Sequence, residues 1–162
     1  MKHLLILLLT LLAPSASQAQ SVGEIVHGNA YEGVIFPAAV KLQPQDSVRR
    51  WTPTAADIAQ LERALIVFMS KQPRKSRVNE VMFGLSIHRQ LSGYTRQYAG
   101  YLSPKGEKII YVNCFWDPDN DPFLKHWPNS LIQVFDGGNA FWHIHYNTAK
   151  RRFVGLSING VA

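Results

Sequence analysis

The chain has one cysteine, Cys114, among its 162 residues, so no disulfide can form within it and the fold must hold by packing. It also lacks a Cys-x-x-Cys pair and a Gly-x-Ser-x-Gly elbow, which removes dithiol redox chemistry and the strained serine nucleophile of many hydrolases. Acids are few, and Glu24, Glu32, Asp57, Glu62, Glu80 and Asp136 are scattered along the chain. They nominate no carboxylate pair of the kind a glycosidase needs. There is no internal repeat, low-complexity tract or heptad pattern, and no motif calls for a cofactor.

Only one long apolar run is present, Leu4 to Leu12, preceded by Met1, Lys2 and His3 and followed by the small and polar residues Ala13 to Gln20. This is the three-part pattern of an export signal. A permanent spanning helix needs roughly 20 apolar residues, so the run is expected to be removed, with cleavage after Ala19 in Ser17-Gln18-Ala19. No cysteine follows the expected cut to carry a lipid, and no permanent membrane anchor is expected. The protein is therefore read as secreted or periplasmic. Residues 1–19 are the signal peptide, 20–50 an extended N-terminal segment and 51–162 a single α+β domain. The remaining 143 residues suffice for one sizeable core.

Removal of Lys2 lowers the formal charge from +6 to +5. The positive residues gather at Arg49-Arg50, at Lys71, Arg74, Lys75 and Arg77, and at Lys150-Arg151-Arg152. Such clusters are either ordinary solvated turn residues or attract anionic surfaces at long range, which in an exported protein are envelope lipids or acidic polysaccharide and not nucleic acid. Cys114 sits within the apolar run Ile109 to Phe115, where a thiol behaves as a small hydrophobe.

Short apolar patches at Ile25-Val26 and Val34-Ile35-Phe36 suggest extended segments or one edge strand, followed by a turn at Gln43 to Ser47. Thr52-Pro53-Thr54 then opens the clearest helix, with Thr54 as cap and Asp57 completing a capping box. Ile58, Leu61, Leu65, Phe68 and Met69 share one face, with Gln60, Glu62 and Arg63 off that stripe. The helix should end near Lys71, before Pro73. Val81 to Leu91 fits either a short helix or an irregular strand. Tyr94 to Leu102 and Lys108 to Phe115 read as a hairpin around Ser103 to Gly106. A third strand is expected from Leu131 to Phe135, interrupted by a turn or bulge at Asp136 to Asn139 and resumed from Ala140 to Tyr146. Arg151 to Ile158 forms the last strand. The expected fold is α+β, one long amphipathic helix packed on a four-stranded antiparallel sheet.

Strand alternation puts His143 and His145 on one face, opposite Trp142, Ile144 and Tyr146. Two histidines so spaced can ligate a metal if a neighbouring strand supplies a third ligand, or can line the outer face while the aromatic set meets the helix. Asp117, Asp119 and Asp121 alternate as an EF-hand loop begins, but Pro122 and Pro128 stand where that loop requires Gly and Glu. The aromatic residues Tyr94, Tyr98, Tyr101, Trp116, Trp127 and Trp142 serve either as a stacking surface or as core and rim.

The order of helix and strands, with Arg96-Gln97-Tyr98-Ala99-Gly100-Tyr101 in the first strand of the hairpin, resembles the cystatin-like architecture, in which a curled sheet wraps a helix. The resemblance covers Trp51 to Ala162, and NTF2-like folds are similar to the same pattern. Cystatin inhibitors carry Gln-x-Val-x-Gly at this strand and a Pro-Trp pair in a later loop. Here Gln97 and Gly100 are one residue closer, and His126-Trp127-Pro128 reverses the pair. The resemblance implies ligand-binding roles for Gln97, Tyr98, Gly100 and Trp127. With no catalytic constellation in view, the expected function is non-enzymatic binding of a protein or glycan ligand, protease-inhibitor-like in one version. The alternatives are a metal or small-ligand site on His143 and His145, or an interaction role in an envelope assembly.

Overall fold

The computed structural model describes residues 23–42 and 48–161. The expected signal peptide and the turn at 43–47 lie outside the described residues. The helix forms where its cap and stripe predict it, as α1 (Ala55–Ser70). The Thr54 hydroxyl accepts from the Asp57 backbone N–H, and the Asp57 carboxylate accepts from the Thr54 backbone N–H at 2.9 Å, so both orphan donors are satisfied. Ile58, Leu61, Leu65 and Met69 are buried, and so is Glu62. Glu62 lies four residues after Ile58, which is on the stripe and not off it.

The sheet has seven strands and is mixed, which corrects the expected four-stranded antiparallel sheet and its cystatin-like or NTF2-like architecture. The strands are β1 (Glu24–Gly28), β2 (Tyr31–Phe36), β3 (Arg50–Trp51), β4 (Thr95–Leu102), β5 (Lys108–Phe115), β6 (Phe141–Asn147) and β7 (Arg152–Ile158). Their order is β1-β2-β4-β5-β6-β7, with β3 also pairing β4. The four C-terminal strands do pair antiparallel in chain order. The difference lies in the N-terminal segment. Its β1–β2 hairpin adds to the sheet, and β2 runs parallel to β4 over Glu32–Phe36 and Thr95–Ala99. A parallel pair needs a long crossover, and residues 37–94 with α1 inside them supply it. Val34, Ile35 and Phe36 are all buried. A strand covered on both faces reads as a continuous apolar run, so alternation gave no sign of it.

The two faces have different fates. Toward α1 point Ile35, Tyr98, Val112 and Ile144 in one cross-strand row, and Arg96, Cys114 and Trp142 in the next. Together with the helix stripe they fill the main core. Arg96 and Glu62 meet inside it, with Nε 3.0 Å from Oε1 and both side chains almost wholly buried. The contact is a charge pair more than an aligned hydrogen bond. Two carbonyls, Tyr94 O and Leu91 O, accept from the Arg96 guanidinium, and Glu62 accepts from Tyr98 Oη at 2.8 Å. Burial is the main influence on Glu62 and raises its pKa, against the opposing pull of Arg96. β3 is short and locks by close approach. A Cβ on Gly100 would stand 2.4 Å from Trp51 O, so only glycine lets Trp51 lie over β4.

The opposite face is partly covered by irregular chain. Leu131 to Phe135 is not a strand. Gln97 explains why: its amide donates to Trp127 O and Ser130 O, and its carbonyl accepts from Ile132 N and Asn113 Nδ2. The backbone groups that a strand would offer to the sheet are thus taken by side chains. Gly137 and Gly138, both at positive φ, lead into a 3-10 turn before β6, so the Asp136–Asn139 interruption is neither a hairpin turn nor a bulge. A bulge does occur in β7. Between the His145–Val154 and His143–Ser157 pairs, Gly155 and Leu156 oppose Ile144 alone. Gly155 takes φ +64°, and the extra residue puts Leu156 and Ile158 back on the core side.

Candidate functional site

On the outer face, one cross-strand row reads Phe36, Ala99, Tyr111, His145 and Val154. The adjacent row reads Val34, Gln97, Asn113, His143 and Ser157. Gln97 and Asn113 hold the 127–132 segment against the second row. Among the described residues the first row is left open from Ala99 to His145, because Ala99 is small and the segment passes to one side. The result is a recess of about 350 Å³. Its floor is Ala99, Tyr101, Tyr111, His143 and His145, and Leu42, Val48, Arg50 and Leu131 rise around it.

Four rings meet on this floor. Tyr111 packs tilted against His143 and His145 with centroids 5.4 and 5.3 Å away, and Tyr101 meets His145 edge-on at 5.8 Å. Tyr101 Oη lies 3.0 Å from His145 Nδ1. If the phenol donates to Nδ1, the imidazole proton sits on Nε2. A Gly155 Cβ would come within 3.1 Å of His145 Cδ2, so the β7 bulge leaves room for that edge of the ring. Partial burial lowers the pKa of both histidines, and the neighbouring His143 adds to the effect at His145. Burial raises Tyr101 and pushes Tyr111 up to about 12. At neutral pH the floor therefore presents neutral imidazoles and protonated phenols. Arg50 brings a positive charge to the rim, its Nε donating to Gly100 O at 2.8 Å.

His143 and His145 thus share the outer face, half-buried, while Trp142, Ile144 and Tyr146 are buried toward the helix. No third Asp, Glu, His or Cys joins the pair, because among the described residues no group of three such side chains converges. The neighbours are tyrosines. Gln97, Tyr98, Gly100 and Trp127 are placed otherwise than as an exposed surface. Gln97 and Tyr98 are fully buried and hydrogen-bonded, Gly100 lies beneath Trp51, and Trp127 packs half-buried near Phe115. Asp117 and Asp121 accept from the backbone N–H groups of Asp121 and Phe123, so this acidic stretch closes a turn. Cys114 is wholly buried, and burial raises its thiol pKa well above the usual range.

No family model, curated protein or solved structure matches the chain. The site has to be read from its own chemistry. Sequence reasoning found the histidines, named Tyr101 among the stacking aromatics and Arg50 among the basic residues without joining either to the pair, and missed Tyr111 and Ala99. The signal for Tyr111 was present in its pairing opposite His145, but that register becomes visible only once β5 and β6 are aligned. No helix among the described residues is long and apolar enough to cross a membrane.

Proposed function

We propose that the protein binds a small, partly apolar ring compound in the recess over β4, β5 and β6, with His145 and Tyr101 reading its polar end. The observation that carries this is the contrast between the two sheet faces. The helix side is filled, while the outer side holds a recess near the lower end of the range usual for small-ligand sites, roughly 300–1,000 Å³. Its walls are apolar, and its polar groups converge at one place.

The chemistry favours a flat ligand bearing a hydrogen-bond acceptor. Tyr111, His143 and His145 offer ring faces and edges for stacking. No carboxylate lines the recess among the described residues, and with Tyr101 donating to Nδ1 the His145 imidazole offers its Nε2–H as a donor, so an aromatic carboxylate suits it better than an amine. The protein- or glycan-binding reading has less support, because Gln97, Tyr98 and Gly100 spend their groups inside the fold. Export remains part of the proposal through the N-terminal pattern.

Calorimetric titration with benzoate- and indole-type carboxylates, their amides and matching amines tests this reading. Binding of the acids is expected, about tenfold weaker in His145→Ala and Tyr101→Phe, as befits the loss of one hydrogen bond of about 1.4 kcal/mol. It should be abolished by Val48→Trp at the mouth. Absence of binding across the panel, or affinities unchanged in all three variants, would remove the proposal.

A further inference from the structure

A separate feature lies at the end of the sheet where three loops, 79–86, 132–140 and the segment 159–161 after β7, meet. The Val81–Leu85 loop closes as a two-residue turn, with Met82 N donating to Leu85 O and Leu85 N to Met82 O. Its central residues, Phe83 and Gly84, take φ +53° and +78°. Asparagine or glycine is favoured at the first of these positions, and an aromatic residue there is strained. Phe83 gains nothing from packing in return, being 81% exposed. In the second loop Phe135 is 93% exposed. Its backbone is held on both sides, since Asn159 Nδ2 donates to Val134 O and to Asp136 O.

Side chains bind the three loops together. The buried Asn139 amide donates to Glu80 O and Leu85 O, and Gly138 N donates to Gly160 O. A Gly138 Cβ would touch both Met82 Sδ and Val161 Cγ2. The exposed residues Val81, Phe83, Phe135 and Val161 therefore belong to one end of the molecule, on rigid supports. The same end is basic. Arg77 donates to Ile158 O and Asn159 O, which fastens the Lys71–Arg77 loop beside β7. Between residues 71 and 93 there are five cationic side chains, Lys71, Arg74, Lys75, Arg77 and Arg89, all exposed, against the acid Glu80, and the exposed Asp136 beside Phe135 is the second acid of this end. Gln72, Ser76, Arg77 and Ser157 also line a recess of about 290 Å³, with the hydroxyl and guanidinium groups that suit a phosphate ester.

We infer that this end docks reversibly on an anionic phospholipid surface, with Phe83 and Phe135 entering the interface and the Lys71–Arg89 cations meeting the headgroups. Separate aromatic tips surrounded by positive charge match the two contributions to interfacial binding, buried apolar area and attraction to anionic lipid. A protein partner of standard size would need about 800 Å² of continuous surface. Four apolar side chains distributed over three loops are better suited to insertion among lipid chains. The strain at Phe83 is then explained, because a residue costly to the fold is retained at the point of contact.

The test is flotation with vesicles of phosphatidylcholine alone and with 30% phosphatidylglycerol, using a chain that begins at Gln20 and so keeps every contact described above. Partition onto the anionic vesicles is expected, falling steeply with salt, with little onto neutral ones. The double variant Phe83→Asn, Phe135→Ser should partition at least tenfold more weakly while its melting temperature stays level or rises, since asparagine tolerates the left-handed conformation. Arg74→Glu, Lys75→Glu should weaken partition in the same way. Absence of binding to anionic vesicles, undiminished binding by the double variant, or capture of an acidic protein without vesicle binding would each overturn the inference. Aromatic-acid affinity in the double variant should remain that of the parent, so failure here and failure of the ligand-binding reading are separable.

Discussion

Glu62 is the residue whose placement departs most from its type. A carboxylate at helix offset four from Ile58 is expected to break an apolar stripe, yet it is buried within the core beside Arg96. Moving such a pair out of water is costly, and an equivalent apolar packing is often as stable. Removing one partner is different, because the other is left charged with no counter-charge. Glu62→Gln should therefore destabilise the fold by about 3–5 kcal/mol, read as a lower urea midpoint. Tyr98→Phe, which removes only the hydroxyl donating to Glu62, should cost about 1 kcal/mol. Nearly equal losses in the two variants would show that Arg96 is satisfied by Tyr94 O and Leu91 O alone. Neither partner was legible as a pair. Glu62 and Arg96 are 34 positions apart, and only the packing of α1 on β4 brings them together.

The elements that were legible are those whose signal is local. The Thr54–Asp57 capping box, the Ile58–Met69 stripe and the β4–β5 hairpin are each complete within a few neighbouring residues. The parallel β2–β4 pair was not, because its connection spans the helix and its strand is covered on both faces. The stretch from Leu131 to Phe135 was misread as a strand because the groups that replace its ladder, and that hold the 127–132 segment, come from Gln97 and Asn113 on other strands. An outward-pointing glutamine normally reads as solvated. Gln97→Ala would leave up to three polar groups of the segment, Trp127 O, Ser130 O and Ile132 N, unpaired at about 1–3 kcal/mol for each that stays buried, so a loss of at least about 3 kcal/mol is expected in chemical denaturation. Gln97→Glu preserves the acceptors for Ile132 N and Asn113 but turns an oxygen toward Trp127 O and Ser130 O. It should also destabilise, and more so as the carboxylate ionises. Ligand affinity in either variant should fall with the loss of order at Leu131, the wall that this segment supplies.

For the whole molecule, the two sheet faces impose opposite responses to acid. On the outer face His143 and His145 have pKa values below 6.5 in the folded protein, so the unfolded chain binds protons first as pH falls. Their contribution to stability is complete above about pH 6.5 and is lost progressively below it, down to the depressed folded values. On the core face Glu62 has a raised pKa, so its folded form takes up a proton first. Its contribution is complete below about 4.5 and is lost as pH rises through the folded value. The recess and the core thus titrate with opposite sign, and the two can be separated by substitution. Stability followed by urea unfolding from pH 8 to pH 5 should decline through the histidine window in the parent, and less so in His143→Asn, His145→Asn. In Glu62→Gln the acid-side decline should be steeper than in the parent, because the opposing contribution is gone. The same protonation reaches the site directly. Charging His145 at Nδ1 ends its role as acceptor for Tyr101 and makes it a donor toward that phenol, while protonation of His143 adds a second positive charge at the recess. Affinity for an aromatic carboxylate relative to its neutral amide should therefore rise between pH 7 and pH 5.5, even as the fold becomes less stable. A selectivity independent of pH would place the ligand's acidic group away from the histidine pair.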